Sequence, residues 1–87
     1  MINRVILEGR LTKDPVLQYT ASNIAYLKFS LAVNRKFADP QGNKKTDFPS
    51  CIVWRKQAEN IHRYVGKGSM VAVEGKICHV LPPLMDL

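Results

Sequence analysis

The sequence lacks the residue groups from which most active sites and metal sites are built. Its 87 residues include two cysteines and two histidines, and its acidic side chains are scattered singly. Cys51 and Cys78 are far apart, and neither has a second thiol at the spacing of a redox pair or a metal site. His62 has no serine and carboxylate arranged around it, and His79 follows Cys78 too closely for the usual ligand spacing. We therefore expect no enzyme activity, no catalytic residue, no metal and no cofactor.

Long apolar runs and disulfide-forming cysteine patterns are also missing. Charges at Arg4 and Glu8 interrupt the apolar residues of segment 1–10. This segment therefore predicts a strand, and neither a signal peptide nor a membrane span. Two distant cysteines make no disulfide framework and suit a reducing compartment. These features predict a cytoplasmic protein with no membrane partner.

Acidic charge is scarce beside basic charge. Thirteen Lys and Arg residues against seven Asp and Glu residues give a net charge of +6. A domain this basic favours polyanions, nucleic acid ahead of an anionic membrane surface, although small proteins are also basic for solubility alone. Apolar residues make up 46% of the chain, which indicates one globular domain rather than a disordered segment.

Turn signals divide the chain into short strands around one helix. Residues 24–35 alternate cleanly between apolar and polar positions, which predicts a half-buried strand with one wet face. Residues 36–45 contain Asp-Pro and Gly-Asn pairs and predict a hairpin loop, followed by a returning strand over 46–56. A further alternating strand is predicted over 69–77. Between these last two strands, helical spacing predicts a short helix over 57–65, on the apolar residues Ala58, Ile61 and Val65.

Aromatic and basic side chains are interleaved in the middle of the chain. Phe48 and Trp54 are six residues apart, so on a regular strand both side chains leave the same face. Phe37 lies in the lysine-bearing loop beside Arg35 and Lys36. Exposed aromatics bordered by cations form a platform on which bases stack while phosphates are neutralised. The residues alone leave a second interpretation open, in which Phe48 and Trp54 are core residues, because the opposite face of their strand is apolar too.

Six motifs follow one another along the chain. They are NRVILEGRLTKDP (3–15), FSLAVNR (29–35), TDF (46–48), IVWRKQAEN (52–60), YVGKGS (64–69) and VEG (73–75). Their order resembles that of bacterial single-stranded DNA-binding proteins. The resemblance covers Met1 to about Ile77 without large gaps, which makes it more specific than any single motif.

The resemblance implies an all-β OB fold, a Greek-key β-barrel with one short helix. It implies a core of Cys51, Val53 and the inward residues of 27–33, and pairing of subunits into dimers and tetramers through residues 3–10. It also implies that bases stack on three aromatics and that four cations lie beside the phosphate path. These DNA-binding residues are Phe37, Phe48 and Trp54, with Arg35, Lys36, Lys56 and Lys67.

The sequence departs from the family pattern after residue 77. The family has a long hairpin, a fifth strand and then an acidic tail that recruits protein partners, whereas ten residues with Pro82 and Pro83 remain here. We therefore expect an OB domain over 1–77 that lacks the final hairpin and fifth strand. Residues 78–87 are expected to form a short, disordered or irregular tail without the recruiting function. The open edges that this leaves predict a homo-oligomer rather than a monomer.

The expected function is sequence-independent binding and protection of single-stranded DNA in replication, recombination and repair, in the cytoplasm and associated with the nucleoid. One alternative is a tailless accessory protein that resembles the primosomal protein of the same fold. Another is an assembly or regulatory protein that acts only through contacts with homologues. The three aromatics and the basic loop argue against that last alternative.

Overall fold

The computed structural model describes residues 1–80 and 83–87. These residues form seven strands and one helix in the order β1 (Val5–Leu11), β2 (Val16–Tyr19), β3 (Ala25–Asn34), β4 (Thr46–Asp47), β5 (Ser50–Trp54), α1 (Arg55–Tyr64), β6 (Met70–Val80) and β7 (Pro83–Asp86). The helix was predicted over 57–65. It begins two residues earlier than predicted and ends one residue earlier than predicted. The predicted strand over 46–56 is divided into β4 and β5.

Five strands close into a barrel. The hydrogen-bonded order is β1-β6-β7-β5-β3, and β3 pairs back with β1 at Arg10↔Ala32 and Leu11↔Leu31. The short strands β2 and β4 each pair with β3 and lie outside this closed path. The all-β OB fold with one helix is therefore confirmed.

The prediction that the fifth strand is missing, and that the C-terminal residues are irregular, is wrong. β7 lies between β5 and β6, parallel to the first and antiparallel to the second. The antiparallel pairing with β6 runs from Lys76↔Asp86 to Val80↔Pro83, so a short hairpin is present. Pro83 is the first residue of its strand, a position where a missing N–H is tolerated. Pro82, on which the prediction also relied, lies outside the described residues.

β7 is short, but it supplies both backbone pairing and apolar burial. Its Met85 is 4% exposed and belongs to the core cluster. Beyond the strand, the Leu87 N–H donates to the Ile52 carbonyl at 2.8 Å. Backbone groups of β7 pair with those of β5 and β6 on its two sides. A strand of four residues therefore closes the barrel between β5 and β6, where the two prolines predicted open edges.

Two glycines allow the backbone to approach closely where the barrel closes. A Cβ on Gly9 would lie 2.6 Å from the Ala32 carbonyl oxygen, at the crossing of β1 and β3. A Cβ on Gly75 would overlap the Asp86 carbonyl oxygen, where β7 packs against β6. A side chain at either position would therefore push two strands apart.

Alternation along β3 and β5 builds the core. Leu27, Leu31, Cys51 and Val53 are fully buried, as predicted. Val33, the last inward residue of segment 27–33, is only partly buried against this core. Burial raises the pKa of the Cys51 thiol to about 11, so the thiol stays protonated at neutral pH. The helix covers one end of the barrel, since Ala58 is fully buried and two further helix-side residues, Ile61 and Val65, pack against the core.

Candidate nucleic-acid interface

The three aromatics predicted to bind DNA are outside the core. Phe37 is 79% exposed, Phe48 is 62% exposed and Trp54 is 36% exposed. The alternative in which Phe48 and Trp54 form the core is therefore wrong. Exposed aromatic rings of this size offer stacking surfaces, which is the chemical requirement for holding unpaired bases.

Each of the three aromatics lies on a different kind of backbone segment. Phe37 follows β3 in the hairpin loop, and Trp54 is the last residue of β5. Phe48 lies in the break between β4 and β5, where Pro49 cannot donate to a ladder. The Pro49 carbonyl accepts from the Leu31 N–H at 3.1 Å, so the break stays attached to β3. Because the strand is interrupted here, regular alternation does not predict the face on which Phe48 lies.

Phe48 lies at the end of the barrel opposite the helix. It lines an open, mainly apolar cavity of about 450 Å³ whose other walls come from the ends of several barrel strands. Ile77 lines this cavity and is 45% exposed. Trp54 is at the helix end of β5. Six residues at about 3.3 Å each separate Phe48 from Trp54, so the Cα atoms of these two residues lie at most about 20 Å apart.

The outer face of β3 and β5 is mixed in character. Its opposed pairs are Tyr26↔Trp54, Lys28↔Ile52 and Ser30↔Ser50. Ile52 is 6% exposed although it alternates with outward residues. The rings of Tyr26 and Trp54 are in contact, with centroids 5.6 Å apart. Tyr26 falls on the wet face that alternation predicts for residues 24–35, but alternation cannot predict its contact with Trp54, because the contact depends on the register between two strands.

Arg35 is already paired with a carboxylate. Its Nε donates to Asp47 Oδ2 and its Nη2 donates to Asp47 Oδ1, both at 3.0 Å. The side-chain hydrogen bonds, together with the charge of the partner, raise the pKa of Arg35 and lower the pKa of Asp47. Both side chains are more than half exposed, so the pair contributes little to stability. A phosphate that approached Arg35 would have to compete with Asp47.

The hairpin loop that carries Phe37 is held at its base and at its tip. At the base, the Arg35 N–H donates to the Lys45 carbonyl at 2.9 Å, and Thr46 Oγ1 donates to Asn34 Oδ1 at 2.9 Å. At the tip, Asp39 Oδ1 accepts the backbone N–H groups of Gln41 and Asn43 at 3.0 and 2.8 Å. Gly42 has a φ of 83°, which the tight turn requires. The lysines of the loop therefore extend from an organised turn.

The remaining predicted cations occupy different places. Lys36 Nζ lies 6.0 Å from the centroid of the Phe37 ring, at the outer limit of a cation–π contact. Lys56 is exposed in the first turn of α1, two residues after Trp54. The backbone N–H of Lys67 donates to Asp14 Oδ1 at 2.7 Å, which attaches the backbone at this residue to the segment between β1 and β2. Of these three cations, Lys36 thus approaches an aromatic ring, Lys56 follows Trp54 along the chain, and Lys67 lies beside a different segment.

Among residues 1–80 and 83–87, no group of three or more His, Cys, Asp or Glu side chains could hold a metal ion. Across the same residues, no helix is long and apolar enough to cross a membrane.

The sequence is similar to known proteins over most of its length. The model of the single-strand binding protein family matches residues 2–79. The single-stranded DNA-binding protein of Bacillus cereus is 56% identical over 77 residues, and that of Halalkalibacterium halodurans is 54% identical. Single-stranded DNA-binding protein A of Bacillus subtilis is 49% identical. Each match covers 88% of this chain, but only 45%, 46% and 45% of the relative.

The chain belongs to the single-strand binding protein family. The family model matches most of its length, and the fold is the OB barrel that the resemblance implied. The chain spans about half the length of the curated relatives that it matches.

Proposed function

We propose that this chain binds single-stranded DNA without reading its sequence and holds it during replication, recombination and repair. The observation that carries the proposal is the set of three exposed aromatics, Phe37, Phe48 and Trp54, on a closed barrel with basic neighbours. Every base has a face that can stack on an aromatic ring, so this recognition tolerates any sequence. The protein acts by binding and catalyses no reaction.

The proposed mechanism divides affinity between bases and phosphates. Bases stack on the three rings, while Lys36 and Lys56 neutralise phosphates and release their counterions. Arg35 contributes only where a phosphate displaces Asp47 or shares the guanidinium with it. Lys67 contacts DNA only if the DNA strand continues past the protein segment between β1 and β2. The protein acts in the cytoplasm, associated with the nucleoid, without a metal or cofactor.

We also propose that subunits associate through the first strand. β1 pairs with β6 along residues 5–10, whereas on its other side it pairs with β3 only at Arg10 and Leu11. The edge before Arg10 thus has backbone groups that another chain can pair with, and Ile6 is 66% exposed beside it. Light scattering at micromolar concentration tests this proposal, and a monomer at all concentrations would contradict it.

Fluorescence titration tests DNA binding directly. Trp54 is the single tryptophan, so oligo(dT) should quench the emission of this residue as a base stacks on the indole. An abasic strand of equal length is the matched control, because it keeps the phosphates and removes the bases. If labelled oligo(dT) shows no change in anisotropy with excess protein, the proposed function is wrong.

Salt dependence separates the two contributions. Affinity for oligo(dT) should fall as NaCl rises, with a log–log slope of about −0.7 for each phosphate neutralised. The stacking contribution should remain at high salt. A slope near zero would remove phosphate contacts from the mechanism while leaving stacking intact.

A further inference from the structure

Tyr26 faces Trp54 directly across the antiparallel pairing of β3 and β5. The ring centroids are 5.6 Å apart and the ring planes are inclined at 40°. This separation is within the range over which aromatic pairs attract each other. Directly opposed aromatics are also among the stabilising cross-strand pairs of antiparallel sheets. The indole of Trp54 therefore contacts a second ring before any DNA binds.

The backbone holds the two members of this pair differently. Trp54 ends β5, and the next residue, Arg55, has a φ of 61°, so the chain leaves the sheet at once. Tyr26 lies within β3, with strands paired on both of its sides. Its neighbours along the chain, Ala25 and Leu27, are 5% and 0% exposed. Tyr26 is therefore attached to a firmly packed central strand, and Trp54 to the end of a strand.

The space between the two rings does not admit a base. A flat ring inserted between two others needs about 3.5 Å on each side, or about 7 Å in total, and nearly parallel planes. The 5.6 Å separation and the 40° inclination exclude this arrangement. A base can stack only on the part of Trp54 that Tyr26 leaves open, and Trp54 keeps 36% of its surface exposed.

We propose that Tyr26 is a positioning residue for DNA binding, which holds the indole of Trp54 in the orientation that receives a base. This inference rests on the proposed binding of single-stranded DNA. Contact with Tyr26 restricts the rotamers that Trp54 adopts in the free protein, so less conformational freedom is lost when a base stacks. Removal of the Tyr26 ring should weaken binding through Trp54, chiefly by faster dissociation.

The first experiment tests the contact without DNA. Tyr26→Val removes the ring but suits a strand, and Tyr26→Phe keeps the ring. Time-resolved fluorescence anisotropy should show a wider internal rotation of Trp54 in Tyr26→Val and no change in Tyr26→Phe. Tyr64→Ala is the control, because Tyr64 is 77% exposed at the end of α1. Unchanged indole rotation in Tyr26→Val would overturn the proposal.

The second experiment tests the effect on binding, by anisotropy of labelled oligo(dT). Tyr26→Val should weaken binding about three- to tenfold, and Tyr26→Phe less than about twofold. In a Trp54→Ala background, Tyr26→Val should cause no further loss, because its effect passes through Trp54. Equal losses in both backgrounds would overturn the positioning role. Urea unfolding of each variant confirms that it is folded.

Failure of the proposed function and failure of the positioning role of Tyr26 give different results. If wild-type protein does not bind oligo(dT), the proposed function is wrong, and the anisotropy of free Trp54 still tests whether Tyr26 restrains it. If wild-type protein binds and the double-mutant cycle is additive, DNA binding stands and the role of Tyr26 is wrong.

Discussion

The inward and outward surfaces of the barrel follow different rules. Inward residues such as Leu27 and Val53 come from regular alternation along paired strands and are fully buried. The outward aromatics lie on three different kinds of backbone segment: Phe37 in a loop, Phe48 in a strand break and Trp54 at the end of a strand. Regular strands pack a core well, whereas places where strands end or break leave rings exposed. Changes to the inward surface should therefore lower stability, and changes to the outward surface should lower DNA affinity.

The largest effect should come from Met85→Ala, which tests whether β7 belongs to the core. Met85 is 4% exposed, and its truncation should lower the free energy of unfolding by about 2–5 kcal/mol through lost burial and a cavity. Urea denaturation measures this loss. Met70→Ala is a matched control, because Met70 is 51% exposed on β6. Equal stability of the two variants would show that β7 is not packed in solution as described.

Gly75→Val should lower the free energy of unfolding by about 1–3 kcal/mol. The added side chain meets the Asp86 carbonyl and separates β6 from β7. Ala72→Val is the control, since Ala72 is exposed on the same strand. Thermal unfolding should distinguish the pair, and a Gly75→Val protein as stable as wild type would contradict the close approach at this position.

Trp54→Ala should show whether this residue acts on DNA affinity, as an outward residue, or on stability, as an inward one. It should weaken oligo(dT) binding by about 1–3 kcal/mol, the usual loss for one base–aromatic stack. A buried aromatic would instead lower the free energy of unfolding by about 3–5 kcal/mol. Anisotropy of labelled oligo(dT) and urea unfolding are measured on the same protein. Wild-type affinity in the folded variant would remove Trp54 from the interface.

The smallest effect should come from the Arg35–Asp47 pair. Asp47→Asn frees the guanidinium for a phosphate, which should make the log–log salt slope steeper by about 0.7. Arg35→Ala should then change the slope in the Asp47→Asn background and hardly at all in the wild type. An identical effect of Arg35→Ala in both backgrounds would show that Asp47 does not restrain Arg35.

Alternation predicted the inward surface better than the outward one. The core positions of β3, Cys51 and Val53, and the helix over Ala58 and Ile61 agree with the structure because burial repeats with the period of each element. The position of Phe48 could not be obtained in this way, since Pro49 interrupts the strand. The DNA-binding roles of the aromatics and cations remain predictions.

The sequence by itself determined the residue types of the interface, the basic charge and the faces of the long strands, because these follow from composition and local periodicity. Only the tertiary structure decided that Pro83–Asp86 closes the barrel, since a short strand is stabilised by two neighbours that are distant in sequence. It also decided that Tyr26 meets Trp54 and Arg35 meets Asp47. Both contacts depend on the register between strands, which long-range pairing sets and local sequence does not.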